Sequence, residues 1–515
     1  MRHIHRNGWV MKRILGIELG STRIKAVLID ETGAILSQGF YEWKNSLVDG
    51  LWSYELDEAQ KGVQASYGML VKNYGKPIES LDAIGVSAMM HGYLAFDKND
   101  KLLVPFRTWR NTNTSEAAEK LSELFDFNVP MRWSVSHYYQ SFSDDLPHVK
   151  NVAFLTTLAG YVHYKLTGKK VLGADDASGM FPLCGNDYDS EMLDKFNALI
   201  GRDFKKLLPK VLLAGENAGI LTDDGARFLD PTGTLKGGAI LCPPEGDAGT
   251  GMVATNSVAP KTANISVGTS SFLMIVLERK LNKYYREIDM VTTPDGKAVA
   301  MIHTNNGTDE INEWVNLFGE VAKLCGANID KGELFTKLFN KSSESDGDVG
   351  KITGYNFLAG EPLAGTTGGA PLIVRNPDGK LNLANFMQMQ IYSALSAVSF
   401  GLDILTKENV KIDCVTAHGG FYKTDFIGQN ATSAVLNAPV TIMENAGEGG
   451  AWGIALLAGY ALNNIKSLPE YLDYIFKDAK KRTVTADEKE KAKCKAFLER
   501  YKKHLQTERL AQEVK

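Results

Sequence analysis

Two carboxylates, Glu245 and Asp247, lie one residue apart in the segment "PPEGDAGTG", residues 243–251. Asp247 stands between Gly246 and Gly249, and glycines let a ligand approach a neighbouring side chain closely. A carboxylate in such a place can accept the proton of a substrate hydroxyl. The alternative is a turn whose acids cap a helix that begins near Ala248. The local pattern alone favours the cap.

Four glycine turns follow strand-like runs, and their peptide N–H groups and small hydroxyls suit phosphate oxygens. Each turn alone is typical of ordinary structure, but the shared form in both halves of the chain favours phosphate binding. The P-loop, the dinucleotide-binding fingerprint and the protein-kinase signatures are missing from the sequence, which disfavours those three classes. The four turns are Gly20-Ser21-Thr22, Gly268-Thr269-Ser270, His418-Gly419-Gly420 and "NAGEGGA" at 445–451, which contains Gly447.

Phosphoryl transfer also needs a metal ion and groups that hold the acceptor. Glu18, two residues before Gly20, could hold Mg²⁺ through water or could be an ordinary polar strand residue. Two further segments could hold a sugar, although structural roles in loops are more common for both. They are Met90-His91-Gly92, after a buried strand, and Trp109-Arg110-Asn111, an aromatic side chain followed by hydrogen-bonding groups.

The hydrophobic pattern places these groups on α/β elements. Residues 13–30 read as a strand, a glycine turn and a second strand, and "GAILSQGFYEW" completes a β-meander. The same pattern returns at 262–277, which predicts two similar domains with a boundary near Asn256. The pattern also predicts a helix over 56–74 with Asp57 as its N-cap, and one long apolar helix over "MQMQIYSALSAVSFGLDIL".

Composition narrows the class of protein. The 515 residues are 44% hydrophobic and 23% charged with a net charge of -4, which predicts neither a nucleic-acid partner nor an anionic membrane surface. The five cysteines are far apart, so we expect separate thiols in a reducing cytoplasm. No apolar region follows "MRHIHRNGWV", and residues 1–11 are expected to be a disordered extension before a cytoplasmic protein.

The order of these motifs resembles the FGGY carbohydrate kinases over Ile14 to Ala461. The series runs through "LGST", "MHG", "TWRN", "YKLTG", "DDASGM", "GDAGTGM", "SVGTSSF", "HGGF" and "NAGEGGAWG". The resemblance implies an α/β fold of two duplicated actin/Hsp70-like (ribonuclease H-like) ATPase domains with a cleft between them. It implies that 12–255 bind sugar and that 256–515 carry the adenosine pocket and a C-terminal helix.

The resemblance also implies ATP and Mg²⁺ and gives each segment a role. Asp247 matches the general base and, with Glu18, a metal ligand, while Asp175 and Asp176 are interpreted as packing beside the cleft. The implied phosphate-binding residues are Gly20, Ser21, Thr22, Gly268, Thr269 and Ser270. The implied adenosine-binding residues are Gly419, Gly420 and Gly447, and the implied sugar-binding residues are Met90, His91, Gly92, Trp109, Arg110, Asn111 and Asp247.

Three departures from the family pattern affect what can be carried over. Glu18 stands where the family has Asp, "WRNTNT" lacks the usual acid and Arg, and the second family signature is hard to find in "NLANFMQMQIYSALSAV". "MHG" favours a ketopentose, and the departure at "WRNTNT" places L-ribulose ahead of D-xylulose. Rhamnulose, fuculose, gluconate and glycerol stay open as substrates, as do a non-catalytic actin-like ATP-binding regulator and a homodimer.

Overall fold

A computed structural model describes residues 11–443, 449–463 and 465–513 of the chain. Residues 1–10 of the expected extension and Gly447 of the adenosine prediction lie outside these ranges. The chain divides into two compact units. The first comprises Met1–Val258, Met290–Val299 and Glu448–Asp478, and the second comprises Ala259–Asp289, Ala300–Gly447 and Ala479–Lys515.

The strands of the described residues are numbered in chain order. They are β1 Ile14–Leu19, β2 Arg23–Ile29, β3 Ile35–Glu42, β4 Ser46–Val48, β5 Leu51–Ser53, β6 Ala83–Ala88, β7 Leu94–Phe96, β8 Phe154–Thr156, β9 Val171–Gly173, β10 Leu183–Cys184, β11 Asp187–Tyr188, β12 Lys210–Leu212, β13 Ile240–Leu241, β14 Glu245–Gly246, β15 Thr262–Val267, β16 Ser271–Val276, β17 Asp289–Thr292, β18 Ala298–Thr304, β19 Ile352–Tyr355, β20 Leu372–Arg375, β21 Cys414–His418, β22 Val440–Met443 and β23 Lys481–Val484.

The α-helices are numbered in the same way, and short 3₁₀ turns connect some of them. They are α1 Leu56–Tyr74, α2 Ser115–Phe125, α3 Ser134–Ser143, α4 Leu158–Thr167, α5 Ala174–Ser178, α6 Ser190–Ile200, α7 Asp223–Leu229, α8 Asp247–Ala254, α9 Asp309–Leu324, α10 Lys331–Ser342, α11 Leu383–Ser396, α12 Val398–Lys407, α13 Ile427–Leu436, α14 Gly449–Ala461, α15 Leu468–Ile475 and α16 Glu488–Gln512.

The central sheet of the first unit has the order β13-β6-β1-β2-β3, and β14 also pairs with β6. Strands β1, β2 and β3 are successively antiparallel, as the predicted meander requires. Strand β6 runs parallel to β1 and to both β13 and β14. The carboxyl ends of β1, β6 and β14 therefore meet at one edge of this sheet, and that edge carries the candidate site.

A second sheet repeats the core of this topology. Its order is β17-β18-β16-β15-β21-β22-β23, with β15 antiparallel to β16 and parallel to β21. Strands β15, β16 and β21 thus correspond to β1, β2 and β6 of the first unit. The repeat of strand, glycine turn and strand in the sequence is a repeat of structure.

Helix α14 packs directly on the first sheet although it comes more than 350 residues after β6. Two glycines that are paired across β1 and β6, Gly16 and Gly85, permit this contact. A Cβ on Gly16 would lie 2.0 Å from the carbonyl oxygen of Ala451, and a Cβ on Gly85 would lie 2.5 Å from that of Ile454. Helix α14 is buried from Gly450 to Gly459.

Two local predictions are wrong. The N-cap of α1 is Glu55 rather than Asp57, which lies in the first turn, where its charge suits the helix dipole. The predicted long apolar helix is two helices, α11 and α12, which meet at Ala397. Serine hydroxyls bond to carbonyls of the preceding turn there, as Ser396 does to Tyr392, and such bonds bend helices.

None of the helices within the described ranges is long and apolar enough to cross a membrane.

Candidate active site

Asp247 is the first residue of α8 and lies at the carboxyl edge of the first sheet. The N-cap of α8 is Gly246, so the prediction that Asp247 is itself a helix cap is wrong by one residue. The backbone N–H of Met90, which follows β6, donates to Oδ1 of Asp247 at 3.1 Å. Asp247 and the "MHG" segment are therefore in direct contact.

The charge of Asp247 is set mainly by burial. The pKa of Asp247 is raised to about 6, mainly by burial and also by the charge of Glu18, while the bond from Met90 opposes the shift. A carboxylate with a pKa near the working pH is suited to accept a proton in catalysis, because it is ionised and yet basic.

Glu245, the other acid of the segment, has a different environment. Glu245 lies on β14, whereas the sequence had indicated a turn. Its side chain is fully buried. Its Oε2 accepts the backbone N–H of Asp176 at 3.2 Å. Of the two acids, only Asp247 contacts the segment that follows β6.

Glu18 is partly buried near the end of β1, and its carboxylate reaches the first turn of α14. The N–H of Ala451 donates to Oε2 of Glu18 at 3.2 Å. Burial raises the pKa of Glu18, while the charge of Lys25 and the N–H groups of Ala451 and Gly450 lower it. Since the charge of Glu18 also raises the pKa of Asp247, the two acids belong to one electrostatic site.

The donor set of Glu18 and Asp247 fits Mg²⁺, which takes oxygen ligands and keeps several of its waters. Within residues 11–443, 449–463 and 465–513, no group of three or more His, Cys, Asp or Glu side chains is arranged to hold a metal ion. Two carboxylates leave the remaining coordination positions to water and phosphate oxygens, which is the usual situation for Mg²⁺.

Lys25 is a candidate residue that the sequence reasoning missed. It is paired with Glu18 across β1 and β2, so both side chains lie on the same face of the hairpin. Its Nζ is 3.7 Å from the position that a Cβ on Gly449 would occupy, at the start of α14. The signal that could have found Lys25 is the turn "LGSTRI". Counting residues outward from this turn along both strands pairs Glu18 with Lys25. Lys25 places a cation beside the first glycine turn.

The backbone of the turn Gly20-Ser21-Thr22 is held by hydrogen bonds, and the side chains of Ser21 and Thr22 face outward. The Trp43 indole N–H donates to the Gly20 carbonyl at 2.7 Å, and the Tyr54 hydroxyl donates to the Ser21 carbonyl at 2.5 Å. The side chains of Ser21 and Thr22 are exposed. The turn therefore holds the Gly20 and Ser21 carbonyls inward and leaves the hydroxyls of Ser21 and Thr22 exposed.

The segment Met90-His91-Gly92 has an unusual backbone. His91 and Gly92 both have left-handed conformations, with φ of 70° and 92°. Such residues are uncommon outside glycine and concentrate at functional sites. The Ser134 hydroxyl holds the segment by donating to the Gly92 carbonyl at 2.6 Å, and the His91 ring stacks near Trp133 at 6.4 Å.

The segment Trp109-Arg110-Asn111 divides into an anchor and an exposed part. Asn111 is 4% exposed, and its amide group bonds to both backbone groups of Trp52, accepting at 2.8 Å and donating at 2.9 Å. Trp109 is 42% exposed, and Arg110 lies over the Trp52 ring at 4.5 Å. Asn111 is thus an anchor of the loop, and sugar contact by all three residues stays a prediction.

In the second unit, the structure brings together the second glycine turn and the Gly419-Gly420 segment. Strands β15 and β21 are parallel and adjacent, with Ser266 paired to His418, so both segments leave the same edge. A Cβ on Gly419, whose φ is 110°, would lie 2.6 Å from the Val267 carbonyl oxygen. Only glycine permits this approach, and it places Gly419 beside Gly268-Thr269-Ser270.

The second turn is supported by neighbours that the sequence reasoning also missed. The N–H groups of Gly307 and Thr308 donate to the carbonyls of Thr269 and Gly268 at 2.7 and 2.8 Å. The hydroxyl of Thr269 donates to Oδ1 of Asp309 at 2.9 Å. The signal that could have found this support is "NNGTD", a polar segment with a glycine that follows β18.

Sequence profiles of two domains match this chain. The profile described as the FGGY family of carbohydrate kinases, N-terminal domain, matches residues 13–232. The profile of the C-terminal domain of the same family matches residues 263–462. Together the two profiles cover most of the chain, in the order that the motif series predicts.

Individual proteins are similar over nearly the whole length at low identity. The chain is 21% identical over 468 residues to the xylulose kinase of Haemophilus influenzae, covering 87% of this chain and 90% of that one. It is 22% identical over 500 residues to the gluconokinase of Bacillus subtilis, covering 90% of each.

The fold is shared with solved structures. A xylulose kinase from Lactobacillus acidophilus superposes with a TM-score of 0.79 at 16% identity, covering 96% of this chain and 98% of that one. The predicted fold class, α/β with actin-like ATPase domains, is confirmed.

Proposed function

Because the chain belongs to the FGGY family of carbohydrate kinases and is an ATP-dependent sugar kinase, we propose that it phosphorylates a primary hydroxyl of a ketopentose with Asp247 as the general base. The observation that carries the assignment of the base is the position of Asp247. It is a buried carboxylate at the carboxyl edge of a parallel sheet, bonded to Met90 and with a pKa raised to about 6.

In the proposed reaction, Asp247 accepts the proton of the sugar hydroxyl. The hydroxyl oxygen attacks the γ-phosphorus of ATP, the bond from that phosphorus to the bridging oxygen breaks, and ADP leaves with the electron pair. Since a base contributes about 10²- to 10⁴-fold to such a step, most of the remaining rate must come from orientation and charge stabilisation.

The nucleotide side of the proposal assigns phosphate contacts to the two glycine turns. In the first unit these are Gly20, Ser21, Thr22 and the cation of Lys25. In the second unit these are Gly268, Thr269 and Ser270, with Gly419 and Gly420 lining the adenosine pocket. Glu18 and Asp247 would hold Mg²⁺, which neutralises phosphate charge when it is bound.

The acceptor is proposed from the sugar-side segment and from the relatives. Met90-His91-Gly92 is held by the Ser134 hydroxyl and contacts Asp247, so it is suited to present a small polyol to the base. Relatives are named xylulose kinase and gluconokinase, so D-xylulose stays a candidate beside L-ribulose, and gluconate is the acceptor to test against them. The division at residue 256, a cytoplasmic location and a homodimer remain parts of the proposal.

The test is ADP release and sugar-phosphate formation with D-xylulose, L-ribulose, rhamnulose, fuculose, gluconate and glycerol, using wild type and Asp247→Asn side by side. We expect one of the two ketopentoses to have the highest kcat/KM. We expect Asp247→Asn to lower kcat by about 10³-fold or more while the protein still binds ATP.

Two results would contradict the proposal separately. Full activity of Asp247→Asn would remove the base assignment and leave the substrate untouched. A preference for gluconate or glycerol would remove the ketopentose assignment and leave the base untouched.

A further inference from the structure

Two helices near the candidate site begin without a side-chain cap. The N-cap of α5 is Gly173 and the N-cap of α8 is Gly246, and neither glycine can offer an oxygen to the free N–H groups of the first turn. The first turns of both helices are largely buried, so water is a poor substitute. The N–H groups must find acceptors elsewhere in the protein.

The acceptors come from a reciprocal exchange between the two helices. Asp175, on α5, accepts the N–H of Gly249 in the first turn of α8, with 3.0 Å to Oδ2. Glu245, immediately before α8, accepts the N–H of Asp176 in the first turn of α5, with 3.2 Å to Oε2. Each helix start is capped by a carboxylate from beside the start of the other.

Gly246 and Gly249 make room for this exchange, whereas the sequence had indicated that they make room for a ligand. A Cβ on Gly249 would lie 2.6 Å from Oδ2 of Asp175. A Cβ on Gly246 would lie 2.8 Å from the same oxygen and 2.1 Å from Cγ of Met90. The Asp175 carboxylate therefore fills the space on the inner side of the turn that carries Asp247.

We propose that Asp175 is a positioning residue for Asp247, acting through the first turn of α8. This inference rests on the proposed role of Asp247 as the general base. Asp247 is the first residue of α8, so the direction of its side chain follows the geometry of that turn. The bond from Asp175 to Gly249 fixes the turn two residues from the reacting carboxylate.

What the position of Asp175 requires is an acceptor oxygen, not a charge. Asp175 is fully buried, and burial together with the nearby acids Asp176 and Asp247 raises the pKa of Asp175 well above its usual range. An amide supplies the same acceptor oxygen without charge. We therefore expect Asp175→Asn to keep the positioning role and Asp175→Ala to lose it.

The test measures kcat, the KM for ATP and the melting temperature of four variants with the best sugar substrate. We expect Asp175→Ala to lower kcat by about 30- to 100-fold with the KM for ATP within about 3-fold, because small displacements of a reacting group have effects of that order. Asp175→Asn is expected to keep kcat within about 3-fold, since it retains the acceptor. Asp189→Ala, which removes the carboxylate that accepts the N–H of Met192 at 3.0 Å at the start of α6, is the control and should keep wild-type kcat.

Asp247→Asn separates the two proposals. If Asp247→Asn is inactive while folded Asp175→Ala keeps wild-type kcat, only the positioning role fails. If Asp247→Asn is active, the base assignment fails, whatever Asp175→Ala does. A large loss in Asp175→Asn would also overturn the inference, because the charge would then matter.

If Asp175→Ala does not fold, Asp175→Ser takes its place, because its hydroxyl is too short to reach Gly249. A folded Asp175→Ser with lowered kcat supports positioning. Failure of both variants to fold would make Asp175 a residue of folding alone and would overturn the proposal.

Discussion

The two glycine turns occupy corresponding places in the two sheets, yet only the first has an acid and a cation paired across the hairpin below it. In the first unit, Glu18 and Lys25 are paired across the hairpin below the turn. In the second unit, the corresponding pair is Ser266 and Phe272. The second turn is also one residue tighter, since the N–H of Gly268 bonds to Ser270 whereas the N–H of Gly20 bonds to Arg23.

This difference shows what duplication kept and what it changed. The backbone of each glycine turn depends on a glycine and on the antiparallel hairpin, and both copies have these. The side chains paired below the turn differ between the two copies. The copy beside Asp247 carries the acid and the cation, and the other copy is neutral at these positions.

The strongest test of the comparison exchanges the acid of the first turn for its neutral amide. We expect Glu18→Gln to lower kcat by about 10²- to 10³-fold, because a carboxylate that helps to place a metal ion acts on the charge of the transition state. Ser266→Ala, at the corresponding place in the second unit, is expected to change kcat by less than about 3-fold. Equal losses in both variants would show that the difference has no functional meaning.

A change of pH is expected to affect both activity and stability through the buried carboxyls of Asp247 and Asp176. With the pKa of Asp247 raised to about 6, kcat is expected to fall by about tenfold per pH unit below that value. Stability should respond in the opposite direction. Burial raises the pKa of Asp247 to about 6 and that of Asp176 to about 7 in the folded protein. The stability that these two groups contribute is therefore fully present below their pKa in the unfolded chain. It is lost as the pH rises through their pKa in the folded protein.

The measurements are kcat at saturating substrates and the melting temperature, both between pH 5 and pH 8. We expect kcat to rise and the melting temperature to fall over that range. A melting temperature that rises with pH would contradict the assignment of raised pKa values to these buried carboxyls.

The cation of the first turn gives a smaller effect. Lys25→Met is expected to raise the KM for ATP by about tenfold, the typical cost of one charge-assisted hydrogen bond. Arg23→Met is the matched control, since Arg23 is exposed on the same strand and pairs with Glu42 at 2.9 Å. An unchanged KM in Lys25→Met would remove Lys25 from the nucleotide site.

The smallest effect concerns the neutral turn. Thr269→Val removes one hydroxyl that now donates to Asp309, and we expect the KM for ATP to rise by about 3- to 10-fold with kcat unchanged. The corresponding change in the first turn, Thr22→Val, removes an exposed hydroxyl and should have an effect of similar size. A much larger effect of Thr269→Val than of Thr22→Val would contradict the expectation that the two turns contribute similarly to ATP binding.

The elements that the sequence predicts well are those whose pattern is local. The meander of β1 to β3, the span of α1 and the repeat at 262–277 follow from hydrophobic spacing and glycine turns, and the structure has them. The N-cap at Asp57 was wrong because Glu55 takes that place, and the long apolar helix was wrong because serine hydroxyls compete with its backbone bonds.

The candidate site could be located from the sequence but not assembled. Its segments follow β1, β6 and β14, and only the parallel pairing of those strands brings Glu18, Met90 and Asp247 to one edge. The sequence analysis interpreted Asp175 as a packing residue. No local pattern indicates that Asp175 accepts the N–H of Gly249, because the two residues are 74 positions apart. No spacing rule connects such residues, and glycine N-caps give no sign of what caps them instead.

The close packing of α14 on Gly16 and Gly85 has a consequence for biosynthesis. A ribosome releases β1 and β6 early, but the helix that covers them is made only after nearly the whole second sheet. During that interval the apolar face formed by these strands has no native cover and is open to chaperones or to misassembly. A chain that stops before residue 449 should therefore aggregate rather than yield a working first half.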